Sequence, residues 1–237
     1  MKPFDFTFQN LESQYRSALD GKYQIIRCID FFSKSFQPDI PMIVNRVDVD
    51  FSVKKAKRIW EIFEKLGIKG TFFIRLHAPE YNPFSFENYK IIKEIQNSGH
   101  EIGYHSEVVD QSKIWNEDSA ECLRRDLVFF STVFGVQVKG VASHGGMTGL
   151  NNLDFWEEKK PSDFGLTYEA YKGSDTHSLF KDSLYVSDSE WTRWKCYQKG
   201  QLLDGDNRSL SEHLGDRPDL VYLLVHPDTF FDHHFYE

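Results

Sequence analysis

The sequence predicts an α/β fold, a single domain built on mostly parallel strands. Three observations carry this expectation. Short apolar runs alternate with amphipathic helical stretches at least three times through the middle of the chain, as parallel βα units with right-handed crossovers require. The chain has 237 residues, enough for one domain with a sizeable core and too few for two. Four apolar runs end on an aspartate or a histidine, at the strand ends that form the functional face of such folds.

The elements follow in order. Residues 7–19 carry a helical pattern, and Tyr23 to Phe32 reads as a strand. Residues 1–40 are expected to pack as a helix and a strand on the core, inside one domain spanning 1–237. Ile43 to Asp50 is a buried strand tipped by carboxylates. Ser52 to Leu66 is an amphipathic helix with Ala56, Ile59, Trp60, Phe63 and Leu66 at spacings of three and four; Ser52 suits its N-cap and Gly67 its stop. A strand follows at Gly70 to Leu76, then a helix over Glu87 to Asn97 and a strand from His100 to His105. The next helix runs from about Glu117 to Phe134, before a strand at Val138 to Ser143. Beyond residue 145 the rhythm weakens: a glycine-rich loop, short strands at Phe164 to Tyr171 and Leu184 to Asp188, a short helix at Ser209 to Leu214, and a last strand from Leu220 to His226. The tail carries Asp232-His233-His234, a set able to bind metal adventitiously.

Composition narrows the function. The net charge is −8, with no basic stripe, which argues against nucleic acid and anionic membranes as partners. No apolar run approaches the ~18 residues of a membrane span, and the N-terminus lacks a signal core. Cys28, Cys122 and Cys196 are widely spaced and form no Cys-x-x-Cys pair, so a thiolate zinc site finds no support, and an odd count fits a reducing, cytoplasmic compartment. Aromatics make up 16% of the chain, which suits a dense core and a surface facing carbohydrate.

Asp48 and Asp50 are the most informative residues. Two apart on a strand, they share a face, and two buried like charges repel. A bound cation relieves the repulsion, leaving one carboxylate as ligand and the other as base; a strand running into a polar turn is the plainer alternative. Arg46 lies on the same face, placed to neutralise Asp48 or to pack. His105, His144 and His226 end three further strand-like runs.

The order of an apolar strand with Asp48-Val49-Asp50, then Gly70-Thr71-Phe72-Phe73, then Gly99-His100-Glu101-Ile102-Gly103-Tyr104-His105, then a late Leu223-Leu224-Val225-His226 resembles the polysaccharide deacetylases of carbohydrate esterase family 4. The resemblance spans roughly residues 40–230. Tyr104-His105-Ser106-Glu107, Ser143-His144-Gly145 and His226-Pro227 are similar to a branch associated with bacterial surface-polysaccharide gene clusters. It implies a distorted (β/α) barrel and one divalent metal, commonly zinc, that serves removal of acetyl groups from sugars. It also implies Asp50 and His105 as metal ligands, Asp48 as the base, and His226 as the group that protonates the departing amine. The chain departs from the family at two points. Val109 stands where a second-motif histidine is usual, and the Arg-x-Pro-Tyr motif has no counterpart, Ser143-His144-Gly145-Gly146 standing near its place.

The third ligand is therefore open between His144, Glu107 and Asp110, with His144 favoured. Asp188, at the end of another candidate strand, suits orienting a histidine or holding a sugar hydroxyl. His100 opens its strand and belongs at the opposite end. Trp115, Trp156, Trp191 and Trp194 lie in or near loops, where rings stack on sugars or simply pack. Two function classes stand side by side: a metal-dependent sugar deacetylase, and a sugar-binding protein that keeps the fold without the chemistry. An O-acetyl esterase or non-sugar amidase is a variant of the first.

Overall fold

All eight residues of the strand Met42–Val49 are buried, as a parallel sheet covered on both faces requires. This strand, β2, is the centre of the molecule. The computed structural model describes residues 5–33 and 40–233; His234 of the tail motif lies outside them. Ahead of β2 come the helix α1 (Phe8–Asp20), the short strand β1 (Gln24–Ile26) and the helix α2 (Cys28–Ser33). After it the chain alternates α3 (Val53–Leu66), β3 (Thr71–Arg75), α4 (Phe86–Asn97), β4 (Glu101–Ser106), α5 (Val108–Trp115), α6 (Ser119–Phe134) and β5 (Gly140–Ser143). The last third holds β6 (Tyr168–Glu169), α7 (Leu179–Asp182), β7 (Leu184–Ser187), β8 (Lys195–Gln198), β9 (Gln201–Leu202), α8 (Leu210–His213) and β10 (Leu220–Val225).

Among the described residues the strands form one sheet in the order β6-β5-β4-β3-β2-β10-β7-β8-β9. Pairing is parallel from β6 to β7, and antiparallel only where β8 and β9 fold back. Tyr168 of β6 and Tyr185 of β7 nevertheless share one interior cluster. The sheet therefore curls on itself as a distorted (β/α) barrel, open between its two ends.

Alternation along each strand sorts two cores. Ile43, Val47 and Val49 of β2 join Ile59 and Phe63 of α3 in the outer layer, under the helices. Val44 of β2 packs inward with Phe73, Ala142, Tyr168, Tyr185 and Tyr222. Two glycines make room for the inner rings. A Cβ on Gly103 would lie 2.5 Å from the Phe73 ring, and one on Gly140 would lie 2.0 Å from that of Tyr168. The helix α3 begins and ends as its sequence signals: Ser52 accepts from the Lys55 amide, and Gly67 takes a left-handed φ of 66°.

Several boundaries differ from the sequence expectation. The strand expected over Tyr23 to Phe32 pairs only at Gln24–Ile26, against Met42 to Val44. From Arg46 onward that edge of β2 belongs to β3, so the chain turns into α2, where Asp30 pairs with Arg27. The helix α5 starts directly after β4 and has no counterpart in the sequence reading. Phe164 to Tyr171 supplies a two-residue strand rather than a full one, preceded by a 3-10 turn at Pro161–Phe164. The hairpin of β8 and β9 is also additional.

Candidate active site

Because β2 alternates strictly, Arg46, Asp48 and Asp50 share the inward face with Val44. At the same barrel end, β4 delivers His105, the turn after β5 delivers His144, and β10 is followed by His226. Register aligns Arg75 of β3 with His105. The sequence-predicted residues Asp48, Asp50, His105, His144 and His226 thus converge on one place, and the Asp50 carboxylate is its centre.

Three imidazoles face Asp50. His105 Nε2 lies 3.2 Å from Asp50 Oδ1, His144 Nε2 3.9 Å from the same oxygen, and His226 Nε2 3.8 Å from Oδ2. Each ring has its other nitrogen turned to an oxygen. His105 Nδ1 lies 2.8 Å from the Ala142 carbonyl and donates there, which turns Nε2 toward the two aspartates. His226 Nδ1 lies 2.6 Å from Asp188 Oδ1. His144 Nδ1 stands 3.4 Å from Glu107 Oε1, within ion-pair reach but not aligned as a hydrogen bond. Asp188 and Glu107 therefore sit behind histidines rather than facing the centre directly.

Asp48 is held differently. Arg46 donates to both its oxygens, Nε to Oδ1 at 2.8 Å and Nη2 to Oδ2 at 2.6 Å. Both side chains are almost wholly buried. The guanidinium also donates to the Tyr222 hydroxyl at 3.2 Å and lies 4.4 Å from the Tyr171 ring centroid. Asp48 Oδ2 remains 3.3 Å from His105 Nε2.

The electrostatics follow from this crowding. Burial raises the Asp48 carboxyl, but Arg46 and His105 outweigh it and hold the group below its usual range. Asp50 is likewise raised by burial and held well below the carboxylate range by His105, His226 and His144. Burial pulls His226 down, yet Asp188 dominates and lifts it to about 9. His105 is raised in the same way, the Asp48 and Asp50 charges outweighing burial.

A divalent metal fits this donor set in chemistry. Asp50 Oδ1 is buried without a hydrogen-bond partner, and carboxylate with imidazole is a common zinc combination. The spacing fits the Asp50–His105 pair, and His144 stands somewhat wide. Among the described residues, donors of three such groups all fall within 4.8 Å of one another at Cys196, Asp206 and His213, and not at Asp50, His105 and His144.

The remaining candidates separate cleanly. Both Asp110 oxygens are occupied: Oδ1 accepts from the Met147 and Thr148 amides and the Thr148 hydroxyl, and Oδ2 from Asn152 Nδ2. It anchors the 144–152 loop rather than facing the centre. The side chain of Val109, on α5, packs against the outer core. His100 lies at the opposite barrel end, between the Gly70 amide and Glu64. Trp156 and Trp194 are buried. Trp191 is 42% exposed, 5.8 Å from the His226 ring and 5.5 Å from exposed Phe51.

Arg75 is the member that sequence reasoning missed. Its Nη1 donates to the Asp50 carbonyl at 2.9 Å and its Nη2 to Glu107 Oε1 at 2.7 Å. The signal was there: a charged residue at the tip of Phe72-Phe73-Ile74.

No family model matches the chain, and no curated protein matches it. Among solved structures, it is similar to a wild-type CE4 family pseudoenzyme from Bacillus anthracis, at 16% identity and a TM-score of 0.47 over 81% of this chain and 56% of that one. A mutant described as a CE4 family pseudoenzyme with restored enzymatic activity gives 15% identity and a TM-score of 0.47 over 81% and 58%. The chitin deacetylase of the fungal pathogen Colletotrichum lindemuthianum gives 17% identity and a TM-score of 0.33 over 43% and 45%. The match thus spans less than two thirds of each of these chains, and the chemistry of the site rests on its own residues.

Proposed function

We propose that the chain is a metal-dependent hydrolase that removes an acetyl group from an N-acetylated sugar. One observation carries the reading: three imidazoles, those of His105 and His226 with their outer nitrogens hydrogen-bonded, surround the buried Asp50 carboxylate, beside an ionised Asp48. Asp50 and His105 would hold a divalent ion, zinc by donor type, with His144 completing the set. Such an ion supplies a Lewis acid that acidifies water and polarises the acetyl carbonyl.

The protein groups divide the remaining work. Asp48, kept ionised by Arg46, accepts the proton of the attacking water. Its clamp fixes the carboxylate in position before substrate arrives. His226, charged through Asp188, carries the proton that the leaving amine needs. Glu107 steadies His144, and Arg75 ties Glu107 to the backbone of Asp50. Phe51 and Trp191 give the rim an aromatic face suited to a sugar ring. The motif resemblance supports a role in bacterial surface-glycan biosynthesis, and the three free cysteines support a cytoplasmic setting.

The wide stance of His144 and the apolar Val109 favour a second reading, a sugar-binding protein on the same fold with impaired chemistry. Acetate release from a panel of N-acetylated and O-acetylated sugars, with zinc content measured on the same samples, separates the two. The hydrolase reading expects acetate release that is lost in Asp48→Asn while zinc is retained. Zinc-loaded, folded protein that binds sugars but releases no acetate establishes the second reading. Release from O-acetyl esters alone identifies an esterase.

A further inference from the structure

A second group of metal-type donors converges outside the site described above. Cys196 lies on β8, Asp206 in the turn after β9, and His213 ends α8. One donor atom from each lies within 4.8 Å of the other two. Cys196 Sγ is 3.1 Å from His213 Nε2, which is 3.7 Å from Asp206 Oδ1. Cys196 and His213 are buried, and Asp206 is half-buried. The Arg208 carbonyl lies 3.5 Å from Sγ.

We propose that Cys196, Asp206 and His213 form a structural binding site for a zinc-class divalent ion. Thiolate, imidazole and carboxylate are all zinc donors, and water or a backbone carbonyl completes a four-coordinate set. The charges balance: one thiolate and one carboxylate neutralise the ion, and the Cys196 thiol loses its proton to solvent as the metal–sulfur bond forms.

Arg208 is the group that would oppose a cation here, because its guanidinium donates to Asp206 at 2.8 Å. It also donates to Asp216 at 2.6 Å, so two carboxylates share its charge. A cavity of about 650 Å³ is lined in part by Leu203, Arg208 and His213, beside the cluster. The supports of the cluster are built in. Ser209 and Glu212 cap the start of α8 reciprocally, and the Leu203 amide donates to the Cys196 carbonyl at 2.9 Å.

The ion would have a specific mechanical task. β9 ends the sheet and both its residues are exposed. A metal clip would join β8, the 203–208 turn and α8, adding to the thiol–imidazole contact, the Asp206 pairs and the Leu203–Cys196 backbone bond that already link them.

Cobalt(II) titration of the full-length chain tests the proposal independently of the acetyl-sugar site, which contains no cysteine. On the Asp50→Ala background, which removes the other divalent centre, a near-ultraviolet thiolate-to-cobalt band that saturates at one equivalent, and is lost on adding Cys196→Ser, is the expected result. Zinc content should fall by one equivalent per chain in the same variant and survive Asp50→Ala. Should Cys196→Ser fail to fold, Asp206→Asn keeps the thiol and should weaken cobalt binding at least tenfold. No thiolate band in the wild-type protein overturns the proposal and leaves a simple S–H···N hydrogen bond. A band that persists with undiminished affinity in either variant overturns it equally.

Discussion

Asp188 grips His226 at two points: Oδ1 lies 2.6 Å from the ring Nδ1, and Oδ2 accepts from the His226 backbone amide at 2.8 Å. The carboxylate therefore fixes the residue's position and its charge together. Folded His226 titrates at about 9, above the 6.5 of an ordinary imidazole.

The first prediction concerns pH. A raised folded pKa stabilises the folded state fully below the unfolded value of 6.5, and that contribution is lost as pH rises through about 9. It amounts to about 3 kcal/mol, as an upper figure. Asp188→Asn should remove most of it, so metal-free wild-type and variant should differ most near pH ~6 and converge toward pH ~10. Urea denaturation across that range checks it; a gap that widens with pH contradicts the assignment.

Asp48 and Arg46 should behave as a unit. Asp48→Ala leaves a buried guanidinium unpaired and should destabilise by about 3–5 kcal/mol. Arg46→Met combined with Asp48→Ala should recover most of that loss, since the pair is replaced by apolar groups of fitting size. A double-mutant cycle measured by denaturant unfolding gives the coupling directly; near-additive losses would mean the two side chains act independently.

The proposed metal centre assigns different roles to His144 and Glu107. If His144 supplies the third ligand, His144→Ala should weaken zinc binding by ~100-fold or more, and Glu107→Gln, which acts only behind it, by about 10-fold. Calorimetry with zinc on the Cys196→Ser background isolates this centre. The reverse order would make Glu107 the ligand.

Gly140 offers a test of the interior. An added methyl would overlap the Tyr168 ring at 2.0 Å. That ring is fixed by the Tyr168 hydroxyl, which donates to Glu101 at 2.9 Å. Gly140→Ala should therefore destabilise by about 1–3 kcal/mol, and Tyr168→Phe should relieve it only in part, because the ring carbons as well as the hydroxyl oxygen, at 2.3 Å, are in the way. Thermal unfolding of the single and double variants decides.

The candidate site was legible where chemistry coincided with a strand end. Asp48, Asp50, His105, His144 and His226 each close or follow an apolar run, and strand period alone put both aspartates on one face. Arg75 ends its run in the same way, but a lone arginine carries no signature until Glu107 and the Asp50 carbonyl are beside it. The helix α5 escaped because Val108, Val109 and Ile114 show no clean stripe. Its position is set by Asn152, whose Oδ1 accepts from the amides of both Val109 and Asp110 across 42 or more residues. The strand at Tyr23 to Phe32 was overextended for a complementary reason: its isoleucines favour extension, but β2 offers that edge for three residues only. The Cys196–Asp206–His213 group was invisible because no short spacing links its members.

The burial of Arg46 has a consequence for how this chain can drift over generations. A substitution that deletes Asp48 strands a guanidinium inside the barrel, so purifying selection on folding guards that aspartate whether or not any acetyl group is ever removed. His144 carries no such guard, because it is part-exposed and its removal orphans only Glu107, which Arg75 still holds. If the proposed reaction were lost, His144 would decay first and the aspartate last. Among descendants of this chain, the identity of residue 144 is therefore the better witness to living chemistry, and Asp48 the poorer one.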